Sequence, residues 1–383
     1  MASELPLNIG ITCYPSVGGS GVLATALGVE LARRGHEVHF ISYEHPFRLP
    51  RNEARLHFHP VEINDYELFK YPDYTLPLSV KMAEVARRHR LDVLHVHYAV
   101  PHATAAILAR SMLDDGARPP PRVVTTLHGT DTMLLGRDPG YGPAIHHALE
   151  SSDAVTTVSA FLKRETQQLF DIDRPIEVIH NFFSPRPSRR SRREVRDELG
   201  VGQEVLLIHC SNLRPLKRVD LLLEAAARIR PRESFKLLVL AGGDFAQYVP
   251  QVSRLGLSDR VLVRERVEDI EEYFQAADIG IVTSDIESFC LSILEGMCFA
   301  CPSIATRVGG IPEVVEDETS GVLVPTGDVD GFVRAAEQLI ADPQRRGALG
   351  QAAKARAEAA FSADVIVPRY EALYRRVCGG DGS

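Results

Sequence analysis

Apolar residues in the first half of the chain come in short, nearly unbroken runs, separated by stretches whose apolar positions recur at helical spacing. The runs predict strands buried on both faces, and the stretches between them predict amphipathic helices. Strands are expected at Leu7–Thr12, Glu37–Ser42, Leu56–Ile63, Asp92–His97, Arg122–Leu127, Ala154–Val158 and Ile176–Ile179. Alternation of this kind with short connections is the pattern of a parallel sheet covered by helices. The second half begins the pattern again at EVLLIHC and carries it through KLLVLAGG, RVLVRERV, DIGIVTS, PSIAT and SGVLVPTG, with helices from Asp328 to about Ala360. Two α/β domains follow, 1–183 and 184–363.

One stretch departs from this regularity. ESFCLSILE, Glu287 to Glu295, leaves no wide polar stripe, so it reads as a largely buried helix beginning near Ser288, with Glu287 in the loop before it. Glu295 lies two turns in, where an ionised carboxylate needs donors. The vicinal hydroxyls of a ribose would serve, and so would an arginine of the same domain.

Composition narrows the partners. A formal charge of −8 argues against a general nucleic-acid binder, and the 45% hydrophobic content supports two proper cores. The N-terminus shows no signal-peptide pattern, and no apolar run approaches the ~18 residues a membrane helix needs. Six cysteines in a chain this long suggest reduced thiols in a cytoplasmic protein. Cys298 and Cys301 form C-x-x-C at the end of the buried helix, whereas redox pairs are activated at helix starts. The arginine-rich run RPSRRSRREVR reads as an exposed linker passing into a helix at Ser191–Leu199.

Candidate chemistry gathers where strands end. Gly18, Gly19 and Gly21 sit between the first strand and first helix, where backbone can approach a phosphate closely. Gly19, Gly21 and Ala24 fit G-x-G-x-x-A, which admits a nicotinamide-dependent dehydrogenase with Glu44 as ribose-binding acid. Tyr98 and His102 follow the fourth strand, while His95 and His97 within it read as satisfied structural histidines. His128, Gly129, Thr130 and Asp131 end the fifth, placing an imidazole and a hydroxyl over the crevice, with Asp131 a candidate cap. Asn212, Arg214, Lys217 and Arg218 crowd a turn into a helix, a combination that suits a diphosphate. The pairs Asp171–Asp173 and Asp328–Asp330 look like caps rather than a metal–nucleotide site.

Taken in order, PSVGGSG, LHGTD, SNLRPLKR, RERVED, ESFCLSILE and GGIPEVV resemble the retaining GT-B glycosyltransferases of family 4 over almost the whole chain. GITCYPSVGGSGV, GHEVHFISYEHPFRL, FHPVEINDYELFKYPDYTLPL, HVHYAVPHA and TTLHGTDTMLLGRDPG resemble the malate-using branch of that family. The resemblance implies two Rossmann-like domains facing across a cleft, the last helix, about 364–378, returning to the first. It also implies transfer of N-acetylglucosamine from UDP-N-acetylglucosamine to L-malate, the opening step of bacillithiol biosynthesis. The same fold with an inositol phosphate or a lipid as acceptor is the alternative.

By the same resemblance, Glu295 would bind the ribose, Arg214 and Lys217 the diphosphate, and main chain near Val267 the uracil. Ser288, Phe289, Cys290 and Leu291 would line the donor site, with amides near Cys290 and Leu291. Glu287 would hold the sugar's hydroxyls with His128 on its other side, so His128, Lys217 and Glu287 form the catalytic set. Gly18 and Gly19 would close over phosphates and acceptor. Ser20, Tyr98, Thr130, Arg137, His146 and Asn181 are the acceptor candidates, His146 standing where the resemblance implies an arginine. No metal or other cofactor is implied, and a homodimer is compatible.

Overall fold

The computed structural model of the chain describes residues 5–15, 18–63, 73–113, 118–231 and 234–379. Ser16 and Val17 of the glycine loop, and residues 64–72 of the segment FHPVEINDYELFKYPDYTLPL, lie outside the described residues. The chain divides into two compact units, Met1–Asn181 with Ala363–Ser383, and Phe182–Ser362.

The first unit is built on seven parallel strands: β1 (Asn8–Thr12), β2 (Glu37–Ser42), β3 (Leu56–Pro60), β4 (Val93–His97), β5 (Arg122–Leu127), β6 (Ala154–Thr157) and β7 (Ile176–Val178). Their order is β3-β2-β1-β4-β5-β6-β7, and Ile9 of β1 stands opposite Val38 on one side and Val93 on the other. Every residue of β4 is buried, which is why its run shows no alternation. β3 ends at Pro60, short of the expected Ile63, because proline brings no N–H to the ladder. β2 and β3 are joined by the loop 43–55, without the helix expected between strands.

The second unit carries six parallel strands: β8 (Val205–Ser211), β9 (Phe235–Ala241), β10 (Val261–Glu265), β11 (Ile279–Val282), β12 (Ser303–Thr306) and β13 (Gly321–Val324). They are ordered β10-β9-β8-β11-β12-β13. Side chains alternate between two cores. Val205 and Leu207 of β8 pack with Phe235, Leu237, Val239 and Phe332, whereas Leu206 and Ile208 pack with Leu238, Leu240, Tyr273 and Phe274. Each sheet reverses its direction of growth at its first strand, where β1 meets β4 and β8 meets β11. Such a reversal opens a crevice at the strands' carboxyl ends, where α/β proteins bind ligands.

The last helix, Ala363–Gly379, belongs to the first unit. The Tyr374 hydroxyl meets His95 Nδ1 at 2.7 Å, Arg376 pairs with Glu177 at 2.6 Å, and His36 meets Glu371 at 3.0 Å. In the second unit the arginine run is not the free linker expected from sequence. Arg186 pairs with Asp269 and Glu271, Arg190 with Glu198 and Glu272, and Arg192 and Arg196 with Asp278. Glu271 and Glu272 are buried, so these guanidinium groups neutralise carboxylates that would otherwise be costly there. Ser191 begins the helix Arg192–Glu198 with a capping box to Glu194. Asp328 caps the helix Val329–Ala341, as expected of the second Asp-x-Asp pair, and Asp171 ends the helix Ala160–Phe170 in a left-handed conformation.

Candidate active site

In the second unit the loops after β8 and β11 meet at the sheet reversal. The Thr283 hydroxyl donates to the carbonyls of Lys217 and Arg218, both at 3.0 Å, and the Asp285 N–H donates to the Leu216 carbonyl at 2.8 Å. With the two loops fastened, Lys217 Nζ donates to Glu287 Oε1 at 2.6 Å, and the Ser284 hydroxyl donates to the same oxygen at 2.8 Å. Burial opposes the charge on Lys217, but the Glu287 carboxylate outweighs it and holds the ammonium's pKa above its ordinary value. Arg214 is exposed and close enough to Lys217 to act on its charge. One cation is thus fixed on the carboxylate, and a second lies near enough to act on it electrostatically.

The helix of ESFCLSILE begins at Leu291, not near Ser288. Cys290 takes a left-handed conformation, φ 74°, which interrupts helical geometry and aims the first turn from Leu291 onward. No side chain caps this helix, Leu291 and Ser292 are half-buried, and its first amides are therefore donors for an anion. Ser288 is half-buried, while Phe289 packs inward against Phe361. Burial pushes the Cys290 thiol up to about 12, with Glu287 adding to the effect, so it is no nucleophile at neutral pH. Burial raises Cys298 and Cys301 to about 12 as well, which gives C-x-x-C no thiolate. Glu295 is buried about one turn into the helix. Val267 is half-buried after β10, and its main-chain groups have no hydrogen-bond partner among the described residues.

GGIPEVV proves to be a support for Glu287. Gly309 has φ +56°, and a Cβ built there would lie 1.8 Å from the Glu287 carbonyl oxygen, while the Gly310 N–H donates to that oxygen at 3.0 Å. Gly309→Ala is expected to displace Glu287, costing about 1–3 kcal/mol of stability and at least about tenfold in turnover. Thermal melts and initial rates on the purified variant check both.

In the first unit, Gly18 precedes the helix Gly19–Arg33 without any side-chain cap, and Gly19 is exposed. Tyr98, at φ 89°, donates its hydroxyl to Ser20 Oγ at 2.7 Å across the reversal between β1 and β4. Its ring lies 5.3 Å from that of His128. His128 follows β5, and Gly129 beyond it has φ 112°. His128 Nε2 meets His97 Nδ1 at 2.8 Å, and burial pushes its pKa down to about 3, so the imidazole is neutral. Thr130 is half-buried at the next helix start. Ser20, Tyr98, His128 and His97 form one polar cluster.

The other acceptor candidates are not drawn into it. His146 is exposed on the helix Gly142–Ser151, Arg137 is exposed in the turn before it, and Asn181 is buried beyond β7 with its Oδ1 unpartnered among the described residues. Glu44, the ribose acid of the dehydrogenase reading, is exposed after β2.

Sequence reasoning missed four supports. His95 is satisfied by Thr126 and Tyr374, as expected, but His97 is not: its Nδ1 holds His128, and its Nε2 has no partner among the described residues. Ser284 and Thr283, in TSD ahead of Glu287, could have been noticed as hydroxyls at a strand's carboxyl end. Asp131 is no simple cap. It is buried and accepts the Ala99 N–H at 2.9 Å, tying the loop after β4 to that after β5.

Burial raises the Asp131 pKa to about 7, against the pull of its backbone donors. The native state then keeps a proton that the unfolded chain has released, so this contribution is full below the ordinary carboxylate range and is lost as pH rises through 7. Asp131→Asn should remove that loss. Melting temperatures between about pH 4 and 8 should fall less steeply with pH in the variant than in the parent chain.

Comparison with known proteins places these features in one family. Residues 17–186 match Glycosyltransferase Family 4, and residues 191–356 match Glycosyl transferases group 1. The chain is 42% identical over 380 residues to N-acetyl-alpha-D-glucosaminyl L-malate synthase of Bacillus anthracis, covering 98% of this chain and 99% of the relative. It is 29% identical over 391 residues to D-inositol 3-phosphate glycosyltransferase of Saccharomonospora viridis, covering 89% and 85%. Among solved structures, Anabaena HepE in complex with UDP-glucose superposes with a TM-score of 0.79 at 20% identity, covering 97% of this chain and 100% of that one. With both halves matched and the similarity running nearly from end to end, the chain belongs to glycosyltransferase family 4 and has the GT-B fold.

Proposed function

We propose that the chain is a cytoplasmic retaining glycosyltransferase that moves N-acetylglucosamine from UDP-N-acetylglucosamine to the hydroxyl of L-malate, the first step of bacillithiol biosynthesis. The observation that carries this reading is the Lys217–Glu287 pair, 2.6 Å apart, beside the uncapped start of the helix Leu291–Cys298. A departing nucleoside diphosphate develops negative charge, and a fixed ammonium with helix amides stabilises that charge without waiting for water to reorient. Arg214 adds a second cation. Glu295 accepts from the ribose hydroxyls, and the main chain at Val267 pairs with the uracil. No metal takes part in the step.

Glu287 accepts hydrogen bonds from the sugar. Its shared oxygen is already committed to Lys217 and Ser284, an arrangement suited to a fixed acceptor rather than a nucleophile. A double displacement would need a carboxylate beneath the anomeric carbon. Attack therefore comes from the face that UDP leaves: the malate hydroxyl oxygen bonds to the anomeric carbon, the bond to the diphosphate breaks, and the hydroxyl proton passes to a β-phosphate oxygen. His128, neutral, donates or accepts one hydrogen bond at the sugar. Gly18 and Gly19 offer backbone N–H groups to anionic oxygens, and Ser20, Tyr98 and Thr130 offer hydroxyls to malate. Among the described residues no helix is long and apolar enough to cross a membrane. A homodimer remains part of this reading, and light scattering measures it.

The acceptor rests on the similarity to the malate synthase, and a panel of acceptors tests it. UDP release from UDP-N-acetylglucosamine should be stimulated by L-malate, with a product of the mass of N-acetylglucosaminyl malate. Stimulation by an inositol phosphate or a lipid, and none by malate, would replace the acceptor while leaving the donor site intact.

A further inference from the structure

Away from the strand ends, three imidazoles from three elements converge. His39 lies in the middle of β2, His59 on the edge strand β3, and His89 is the last residue of the helix Thr75–His89. One ligand nitrogen from each lies within 4.8 Å of the others, the only such group of three metal-ligating side chains among the described residues. We propose that His39, His59 and His89 bind a divalent transition metal of the zinc class, which fastens the edge strand to the helix.

The geometry is close to what such an ion requires. Zinc–nitrogen bonds of about 2.0–2.1 Å in a tetrahedron place ligand nitrogens about 3.3–3.4 Å apart. His39 Nδ1 and His59 Nε2 are 3.0 Å apart, so they need only open slightly, while His89 closes on them. The rings already lie together, with centroids 5.2 Å apart for His39–His59, 4.4 Å for His39–His89 and 5.1 Å for His59–His89. His39 is buried, whereas His59 and His89 are half-buried, which leaves an entry path and room for a water as fourth ligand. Three neutral imidazoles suit zinc, nickel or copper and not magnesium or calcium.

The surroundings support the ligands. The parallel register sets His39 opposite His57, whose ring stacks on it at 4.6 Å and whose Nε2 meets Glu37 at 2.9 Å. His57 is thus held by a carboxylate and packs the site rather than ligating. Burial of His39 favours the neutral imidazole, the form that keeps a lone pair for an ion. Lys81 and Arg88 bring opposing positive charge, of which Lys81 is paired with Glu84 at 2.7 Å. β1 and β4 stand between β2 and β5, so the site is separate from His128 and its role is structural.

The full chain, stripped with a chelator and dialysed, should take up one equivalent of Co²⁺ with the visible absorption of a four-coordinate ion, and Zn²⁺ should displace it. Zn²⁺ should raise the melting temperature by several degrees, while glycosyl transfer proceeds at the same rate with and without metal. His59→Gln and His89→Gln should each weaken uptake at least about tenfold, with unchanged circular dichroism and turnover, whereas His57→Gln should keep it within about threefold. Absence of saturable uptake, or uptake that survives the His59→Gln/His89→Gln double substitution, would overturn the proposal.

Discussion

Lys217→Ala is expected to lower kcat by about 10²–10³, the loss that follows removal of one strong donor from developing negative charge. Its ammonium is largely removed from water and its position is fixed by Glu287 at 2.6 Å, so it stands ready before the diphosphate charge develops. The fold should survive. Glu287 keeps the Ser284 hydroxyl, and the loop keeps the Thr283 and Asp285 hydrogen bonds, all independent of the lysine side chain. We expect a stability loss of about 1–3 kcal/mol, below that for breaking a fully buried pair. Steady-state rates with urea unfolding of the same preparation separate the two effects. A variant with parental kcat would remove Lys217 from the diphosphate site.

Glu287→Gln is the second large effect. It preserves shape and one acceptor oxygen but discards the charge that holds Lys217 and strengthens hydrogen bonds from the sugar. A hydrogen bond to a charged group contributes about 1.5–3 kcal/mol, so kcat/KM should fall about 10- to 100-fold. UDP alone does not carry the sugar, and its affinity, measured calorimetrically, should change less than fivefold. Because the two residues touch, Lys217→Ala combined with Glu287→Gln should lose less than the product of the single losses. Strict multiplication would show that the pair does not act as a unit.

These expectations draw on parts of the molecule that were legible from sequence to different degrees. The parallel sheets were legible because strands buried on both faces, such as Val93–His97, leave continuous apolar runs. Glu287 and Glu295 stood out because carboxylates are rare in so apolar a stretch. The left-handed Cys290 was not legible, since a non-glycine there is held by tertiary contacts rather than by propensity. It moves the helix start to Leu291 and thereby decides which amides face an anion. The arginine run misled in the opposite way: its composition suits a solvated linker, and only the fold reveals Glu271, Glu272 and Asp278 beside it.

Residues far apart in the chain posed the same difficulty at both histidine clusters. His97 and His128 meet because β4 pairs with β5, and His39 and His59 because β2 pairs with β3. Alternation along β3 puts His57 and His59 on one face, yet no sequence pattern singled them out. Strand order, which alternation does not specify, was needed to see what they face. The acceptor side shows what remains after that order is known: Ser20, Tyr98 and His128 cluster, while His146 stands exposed on its helix.

The proposed transfer of N-acetylglucosamine to L-malate keeps the anomeric configuration. A proton NMR time course of the enzyme with UDP-N-acetylglucosamine and L-malate tests it in one tube. An α-configured N-acetylglucosaminyl malate is expected to appear first, in step with UDP. A β-configured product, or UDP formation with no malate glycoside, would contradict it.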